Sequence, residues 1–421
     1  MSPFEAFLQC GSVSTDTRNI VPGSVFFALK GARFNGNEFA LQALEQGAAY
    51  AVVDETVGTD SRLIQVDDVL EALQQTSAQW RKHLGIPIVG LTGSNGKTTN
   101  KELFHAVLSQ KYRTMSTPGN LNNHIGVPLT LLSFTADTEV GIVEMGANHC
   151  GEIALLCDIC QPTIGYITNF GKAHLEGFGG IEGVIEGKSE LYAYLRKTTG
   201  QVLLNTDEPK MVERAQGIQA HSFGTKGDEQ LTWRNATAGE FASIAIGEQL
   251  VSSHLSGEFN CTNMAAAMAL GQLLGVSQAK AAEAIASYVP SMNRAEWKKT
   301  AHNKVQFDAY NANPTSMRVS VENFAQWYPE GILVLGDMFE LGEYAKAEHQ
   351  AIVAMCEELR IPHEQLFLVG QFFAATSGIG QRFGNTSALL EFWQKNSAPK
   401  GATLLLKGSR GIALEQLEAV L

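Results

Sequence analysis

The segment Val89-Gly-Leu-Thr-Gly-Ser-Asn-Gly-Lys-Thr-Thr99 follows the apolar stretch Ile86-Pro-Ile-Val89 and precedes an amphipathic run, which reads as strand, glycine loop and helix in succession. That order commits the surrounding chain to an α/β sheet, because the loop must turn a strand end into a helix N-terminus. Backbone N–H groups of Thr92, Gly93, Ser94, Asn95 and Gly96 can then face an anion. Lys97 can reach outer phosphates, and Thr98, followed by Thr99, can set its hydroxyl on a Mg²⁺. The loop predicts ATP chemistry. It is not a strict Walker loop, since Leu91 stands five places before Gly96 and the nearest glycines are Gly90 and Gly93. An ordinary strand-to-helix turn also favours Gly, Ser and Asn, and the attached Gly-Lys-Thr-Thr separates the two readings.

A chain of 421 residues exceeds what one hydrophobic core usually supports, so two or three domains are expected. The formal charge of −12 argues against a general grip on nucleic acid, which needs a basic surface. No apolar run is long enough to span a bilayer, and Met1-Ser-Pro-Phe-Glu lacks the basic region of a signal peptide, so a cytoplasmic protein is expected. Six cysteines in such a chain do not make a disulfide framework. Cys157-Asp-Ile-Cys160, with His149 and Cys150 nearby, raises a zinc or redox site. No second pair completes a tetrahedral set, and Leu155-Leu156 and Ile159 favour a buried helix.

Three blocks emerge, 1–84, 85–292 and 293–421. The first contains Ser24-Val-Phe-Phe-Ala-Leu29, a helical stretch from Glu38 to Gln46, Ala49-Tyr-Ala-Val-Val53 and Arg62-Leu-Ile-Gln-Val66, then a polar helix from Val69 to His83. The middle block alternates as a doubly wound sheet should. Its strands are expected at Tyr112–Met115, Glu139–Glu144, Thr163–Thr168 and Gln201–Asn205. Helices are expected at Val127–Leu132, Gly151–Asp158 and Ile181–Arg196, followed by a β-like stretch from Gln219 to His254 and an Ala-rich helix from Asn263 to Leu274. The third block alternates again, with strands at Lys304–Asp308, Gly331–Leu335, Leu366–Val369 and Thr403–Leu406, helices reaching Trp327 and Leu359, and a last helix. A second Rossmann-like sheet follows.

Val140-Gly-Ile-Val-Glu144 is an apolar strand ending in a carboxylate, the place from which open α/β sheets present ligands to a phosphate-bound metal. Glu144 is therefore a candidate Mg²⁺ ligand, or simply the acidic start of a turn. His174, in the loop Thr168-Asn-Phe-Gly-Lys-Ala-His174, is a candidate if neutral, while a lone loop histidine is commonly just a polar surface group. Glu186-Gly-Lys188-Ser-Glu190 lies in an expected helix and taken alone reads as a solvated face of mixed charge.

Together these residues resemble the Mur ligases, the ATP-dependent amino acid ligases of peptidoglycan synthesis. Thr92-Gly-Ser-Asn-Gly-Lys-Thr-Thr99 is similar to that family's form of the phosphate loop. Further signatures stand in the family's order: Ser14-Thr-Asp-Thr-Arg18 with Pro22-Gly-Ser-Val-Phe-Phe-Ala-Leu-Lys-Gly31, Gly119-Asn-Leu-Asn-Asn-His-Ile-Gly-Val-Pro128, Glu144-Met-Gly-Ala-Asn-His149, Ala173-His-Leu-Glu-Gly-Phe178, Asp308-Ala-Tyr-Asn-Ala-Asn-Pro314, Gly336-Asp-Met-Phe-Glu-Leu-Gly342 and Lys407-Gly-Ser409. The resemblance implies an α/β, three-domain architecture with a UDP-sugar domain, a central P-loop-type parallel sheet and a C-terminal Rossmann-like domain. It implies ligation of D-alanyl-D-alanine to UDP-MurNAc-tripeptide through an acyl phosphate, as part of peptidoglycan precursor synthesis and hence of cell-wall biogenesis, cell shape and cell division. ATP and two Mg²⁺ are the implied cofactors, and a monomer is expected.

By matching position, the resemblance assigns Thr98, Glu144 and His174 to Mg²⁺ and makes Lys188 a carbamylated lysine that holds a second ion. Lys97, Lys188, His174 and Arg294 are the implied catalytic set. Asn260 and Asn263 match asparagines on the adenine side, where Asn260 could instead be a helix N-cap. Arg294 matches a γ-phosphate arginine, and Asp308 an aspartate near ribose and phosphate. Thr117, Asn120, Asn122 and Asn123 fall in the loop that meets the sugar nucleotide. Arg18, Arg33 and Asn35 are the uridine-side candidates, although Asn35-Gly-Asn37 stands where many relatives have Asp-Gly-His, and Phe259 where many have His.

Three rivals share parts of this pattern. A sibling ligase adding a single amino acid would share the whole ATP site, and Asp308 to Met317 with Gly336 to Gly342 argue for the dipeptide-adding type. A folylpolyglutamate synthase would lack the first block. A non-catalytic nucleotide-binding scaffold would be freer to lose Glu144, His174, Lys188 and Arg294, all of which are present.

Overall fold

The computed structural model describes residues 1–290 and 294–421, so the expected boundary between 292 and 293 lies outside the described residues. Three main sheets, of four, seven and six strands, carry the described residues, beside two smaller antiparallel ones. The first is parallel, in the order Val13–Ser14, Val25–Phe27, Tyr50–Val53, Leu63–Gln65. The helix Val69–Leu84 closes it. Asp68 caps its start by accepting from Glu71 N–H, and Gly85, left-handed at φ 63°, ends it. Val69, Leu73 and Trp80 pack on the first sheet. The far end of this helix also binds the second domain: Trp80 Nε1 donates to Phe134 O at 2.9 Å, and the Arg81 guanidinium donates to Cys160 O at 3.0 Å and Gln161 O at 3.1 Å.

The central sheet has seven parallel strands, Leu231–Thr232, Gln219–Gly224, Gln201–Asn205, Ile164–Ile167, Ile88–Thr92, Val140–Glu144 and Thr114–Ser116 from edge to edge. Ile88–Thr92 is wholly buried between the strands that end at Glu144 and Ile167. The chain passes across it on the way from one to the other, which makes its carboxyl end the topological switch where such sheets bind ligands. The β-like stretch expected from Gln219 divides. Its start joins this sheet, and Arg234–Asn235, Phe241–Ile246 and Gln249–Ser256 form a separate antiparallel sheet. The Ala-rich helix Asn260–Leu273 is buried against the loop helix Lys97–Leu108.

The third sheet runs Glu296–Lys299, Lys304–Asp308, Thr403–Lys407, Ile332–Gly336, Leu366–Val369, Gln381–Phe383, with only its first pair antiparallel. Asp308 and Lys407 are register partners at the carboxyl edge. The last expected helix is a 3₁₀ turn set, Arg410–Ile412 and Leu414–Val420. Leu414, Leu417 and Val420 recur every third residue, which suits a three-residue period better than 3.6. One apolar core joins the second and third domains: Leu175 and Phe178 belong to the same buried cluster as Met338, Leu341 and Ala345. Cys157 and Cys160 lie in the buried helix Glu152–Cys160 with Met145 beside them, in line with the buried-helix reading. Among the described residues no helix is long and apolar enough to cross a membrane.

Candidate active site

Strand Ile88–Thr92 delivers the glycine loop, and two glycines shape it. Gly93 sits at φ 142°, where a Cβ would meet Thr168 Oγ1 at 1.9 Å, and Gly96 at φ 77° ends the loop as the helix N-cap. Gly96 offers no capping side chain, so the first helical N–H groups stay available to an anion. The loop is held from outside. Ser94 Oγ donates to Gly171 O at 2.8 Å, Thr168 Oγ1 to Asn95 O at 2.6 Å, and Asn95 N–H to Asn169 Oδ1 at 3.1 Å. Lys97 folds back on it, its ammonium donating to Gly93 O at 2.7 Å. Burial holds that ammonium below the usual lysine range, against the favourable charge of Glu144 and with the repulsion of Arg294.

Glu144 is buried at the end of its strand. Its Oε2 accepts from Thr98 Oγ1 at 3.0 Å and its Oε1 from Asn122 Nδ2 at 2.9 Å, while its own N–H donates to Thr117 Oγ1 at 2.9 Å. The asparagine loop is thereby tied to the phosphate loop. Lys101, one turn beyond Lys97, finishes the tie from a buried position by donating to Thr117 O at 2.8 Å and Gly119 O at 3.0 Å.

Lys188 is fully buried within the helix Ile181–Thr198. Its Nζ donates to Ala147 O at 3.0 Å and lies 5.1 Å from the Phe178 ring centroid, and no carboxylate pairs with it among the described residues. Burial, then the nearby Lys97, drives its ammonium well below the ordinary range. The solvated helix face is thus not where this lysine sits. His174 stands at φ 53° ahead of the short helix Leu175–Phe178, and its Nδ1 pairs with Oε2 of Glu340 from the third domain. The histidine holds the Glu340 carboxyl below its usual range.

Asn260 is the first residue of its helix, with Phe259 as N-cap, so the capping alternative does not hold. Its Nδ2 donates to Ser256 O at 2.8 Å and its Oδ1 accepts from Asn263 Nδ2 at 2.7 Å. Asn263 Oδ1 in turn accepts from Asn100 Nδ2 at 2.8 Å. From the third domain, the Arg294 guanidinium stacks 3.9 Å above the Tyr310 ring, and Asp308 accepts from Lys407 Nζ at 2.5 Å and Ser320 Oγ at 3.0 Å. Asn313 Nδ2 reaches Asn95 Oδ1 at 2.6 Å, so the third domain already rests on the phosphate loop.

These groups line one cleft of about 690 Å³ between the second and third domains, which takes in Ser94 to Thr99, Asn120, Asn122, Asn123, Glu144, His174, Asn260, Asn263, Arg294 and Asp308. Thr92, Gly93, Thr117 and Lys188 stand outside its lining. Among buried polar atoms without a partner are Thr92 Oγ1, Asn95 Nδ2 and Arg294 Nε, which suits a site that takes a polar ligand. The cleft does not include Arg18, Arg33 or Asn35. Arg18 pairs with Asp16 at 2.6 Å on the surface, Asn35 donates to Glu55 and accepts from Asn37, and Arg33 is exposed. Sequence reasoning assigned no role to Lys101, Tyr310, Asn313, Glu340 or Lys407. Four of the five lie inside the signatures Asp308 to Pro314, Gly336 to Gly342 and Lys407-Gly-Ser409, which carried the signal without saying what each side chain does.

The chain matches the Mur ligase family, catalytic domain over residues 10–81, the Mur ligase middle domain over 91–271 and the Mur ligase, glutamate ligase domain over 293–410. It is 36% identical over 422 residues to the UDP-N-acetylmuramoyl-tripeptide--D-alanyl-D-alanine ligase of Bacillus subtilis, covering 96% of this chain and 92% of that one. It is 33% identical over 438 residues to the Escherichia coli enzyme of the same name, covering 98% and 94%. Among solved structures, MurF from Acinetobacter baumannii superposes with a TM-score of 0.86 at 32% identity, over 97% of this chain and 92% of that one. MurF ligase from Thermotoga maritima in complex with ADP gives 0.84 at 25% identity, over 100% and 98%.

Proposed function

Since the chain belongs to the Mur ligase family, we propose that it joins D-alanyl-D-alanine to UDP-MurNAc-tripeptide, converting ATP to ADP and phosphate. The observation that carries this reading is the cleft in which a phosphate loop, a buried carboxylate and cations from two domains face one another. Residues 1–84 serve as the UDP-sugar domain, 85–292 as the ATPase domain, and 293–421 receive the dipeptide. The chain is proposed to act as a monomer, and a cytoplasmic site of action fits a user of ATP and a UDP-sugar.

A carboxylate is a poor electrophile because its leaving group would be oxide. Its oxygen attacks the γ-phosphorus and ADP leaves; the dipeptide amine, once deprotonated, attacks the acyl carbon and phosphate leaves. The first step brings two anions together and needs charge neutralisation and alignment. Lys97 supplies a cation at the loop and must exchange its bond to Gly93 O for a phosphate oxygen. Arg294, braced on Tyr310, presents a planar fork from the third domain. Asn260 and Asn263 hold an amide pair at the adenine side. The docked third domain keeps water from the acyl phosphate.

Thr98 and Glu144, 3.0 Å apart at the loop, and His174 in the same cleft would hold a Mg²⁺ through two oxygen donors and one imidazole. Lys188 fits a carbamate, because a buried amine with no carboxylate paired to it among the described residues favours its neutral, nucleophilic form, and the adduct would hold a second ion. Bound there, Mg²⁺ would neutralise the phosphate oxygens. The Asn120, Asn122 and Asn123 loop meets the sugar-nucleotide substrate, with Thr117 behind it, while Arg18, Arg33 and Asn35 belong to the uridine side.

The test is phosphate release by the purified chain with Mg-ATP and UDP-MurNAc-tripeptide, D-alanyl-D-alanine and single amino acids being supplied in parallel. Turnover with the dipeptide alone, with a pentapeptide product, is expected. Turnover with a single amino acid on a shorter precursor would move the chain to a sibling reaction, and nucleotide binding without turnover would favour a scaffold.

A further inference from the structure

Two loops from different domains meet at His174 and Glu340, and both residues hold a backbone conformation that side chains disfavour. His174 lies at φ 53° and Glu340 at φ 62°. A left-handed residue that is not glycine is strained and persists where its surroundings fix it.

The surroundings of Glu340 are unusually complete. On one side of it, the Asp337 carboxylate accepts N–H groups from Phe372 at 2.9 Å and Phe373 at 2.8 Å. Met338 N–H donates to Nε2 of the buried His349 at 2.9 Å, and Phe339 N–H donates to Ser409 Oγ at 3.0 Å. On the other side, Gly342 sits so close to Glu176 that an added Cβ would stand 3.1 Å from its side chain, and Glu176 N–H reaches back to Glu340 O at 3.4 Å. Met338 and Leu341 flank Glu340 and are sunk in the core shared with Leu175 and Phe178. The backbone of Glu340 is therefore locked, while its side chain is 55% exposed and brings Oε2 into ion-pair contact with His174 Nδ1, a buried nitrogen with no hydrogen-bond partner among the described residues.

We infer that Glu340 is a positioning residue for His174: by engaging Nδ1 from the third domain it fixes the ring so that Nε2 is offered to a divalent cation bound with the nucleotide. This rests on the reading of His174 as a ligand in the proposed ligase. Histidines that hold metals commonly give their other ring N–H to a carboxylate, which sets tautomer and orientation, and loss of that partner weakens metal binding by about 10–100-fold. Here the carboxylate belongs to a different domain from the ligand it orients. The cation site is then complete only while the third domain is docked. By linkage, nucleotide-bound cation must favour docking by the same factor that docking favours the cation.

A second pair supplies the control. Lys172 Nζ meets Glu348 Oε1 at 2.5 Å across the same interface without touching His174. Mn²⁺ binding to the full chain in the presence of ADP, with free Mn²⁺ followed by electron paramagnetic resonance, reads the site without turnover. Glu340→Gln is expected to raise the Mn²⁺ dissociation constant by about 10-fold or more. Glu348→Gln is expected to change it by less than about twofold, as for an ordinary partly exposed ion pair. ¹⁵N-histidine spectra should place the His174 proton on Nδ1 in the parent chain and lose that preference in Glu340→Gln. Unchanged Mn²⁺ binding in Glu340→Gln overturns the inference, and so does an equal loss in Glu348→Gln, which would mean that docking alone matters. Neither result depends on the ligase assay, whose failure in the parent chain would overturn the proposed reaction.

Discussion

Thr98 Oγ1 donates to Glu144 Oε2 across 3.0 Å, joining the first turn of the loop helix to the end of the neighbouring strand before any ligand arrives. The carboxylate is also bonded to Asn122, so the loops expected to meet nucleotide and sugar nucleotide converge on one buried charge. Glu144→Gln removes that charge and leaves one of two converging donors facing an amide NH₂. Turnover should fall by about 10²–10³-fold, in the range for losing one preorganised electrostatic group, while the chain stays folded. Initial rates beside a thermal melt would check this, and near-normal kcat with Glu144→Gln would remove Glu144 from the ion site.

Lys188 should leave a signature in the pH dependence of stability. Its folded-state pKa is depressed below the unfolded value, so the unfolded chain binds a proton that the folded chain resists. The resulting penalty is absent above the unfolded lysine pKa and grows as pH falls, levelling off below the depressed folded value. Lys188→Met removes it. In CO₂-free buffer the variant should melt above the parent chain, by more at pH 7 than at pH 10, while losing ligase activity. A melting difference that does not change with pH would contradict the buried-ammonium account.

Gly93 and Gly119 make a matched pair. Both have positive φ, yet a Cβ at Gly93 would strike Thr168 Oγ1 at 1.9 Å, whereas one at Gly119 meets nothing within 4 Å. Gly119→Ala should cost about 1 kcal/mol, from backbone strain alone. Gly93→Ala should cost at least about 3 kcal/mol or displace the loop and abolish nucleotide binding. Urea unfolding and ADP titration on both variants would decide, with equal losses counting against the steric argument.

Arg81 is a joint between the first and second domains. Arg81→Met would leave Cys160 O and Gln161 O without its charged donors and should destabilise the chain by about 2–4 kcal/mol, with little change in turnover at 25 °C. Arg81→Lys should recover only part, because one ammonium does not reproduce the fork. Denaturant midpoints would measure both.

What could be read from sequence was what is chemically local. The phosphate loop, the polar helix expected at Val69 to His83 and found at Val69–Leu84, and the apolar strand ending at Glu144 are each set by a short run of neighbouring residues. Glu296–Lys299 and Gln381–Phe383 are short edge strands without apolar alternation, and the helices Gln278–Ser287 and Thr386–Asn396 went unread too. The site was legible as residue types but not as geometry. Nothing local tells that Glu340 will face His174 or that Lys407 will neutralise Asp308, because those pairs exist only once two loops or two strand ends are brought together. Arg18 shows the opposite case: its ion-pair partner, Asp16, is two residues away, so that contact was within reach of a local reading.

The apolar cluster running from Leu175 and Phe178 to Met338 and Leu341 makes the last third of the chain behave as a subunit that happens to be covalently attached. Expressed apart, residues 1–290 and 294–421 would each present a sticky face. They should find one another in solution, so that co-expressed fragments rebuild a working cleft whereas either alone precipitates or recruits a chaperone.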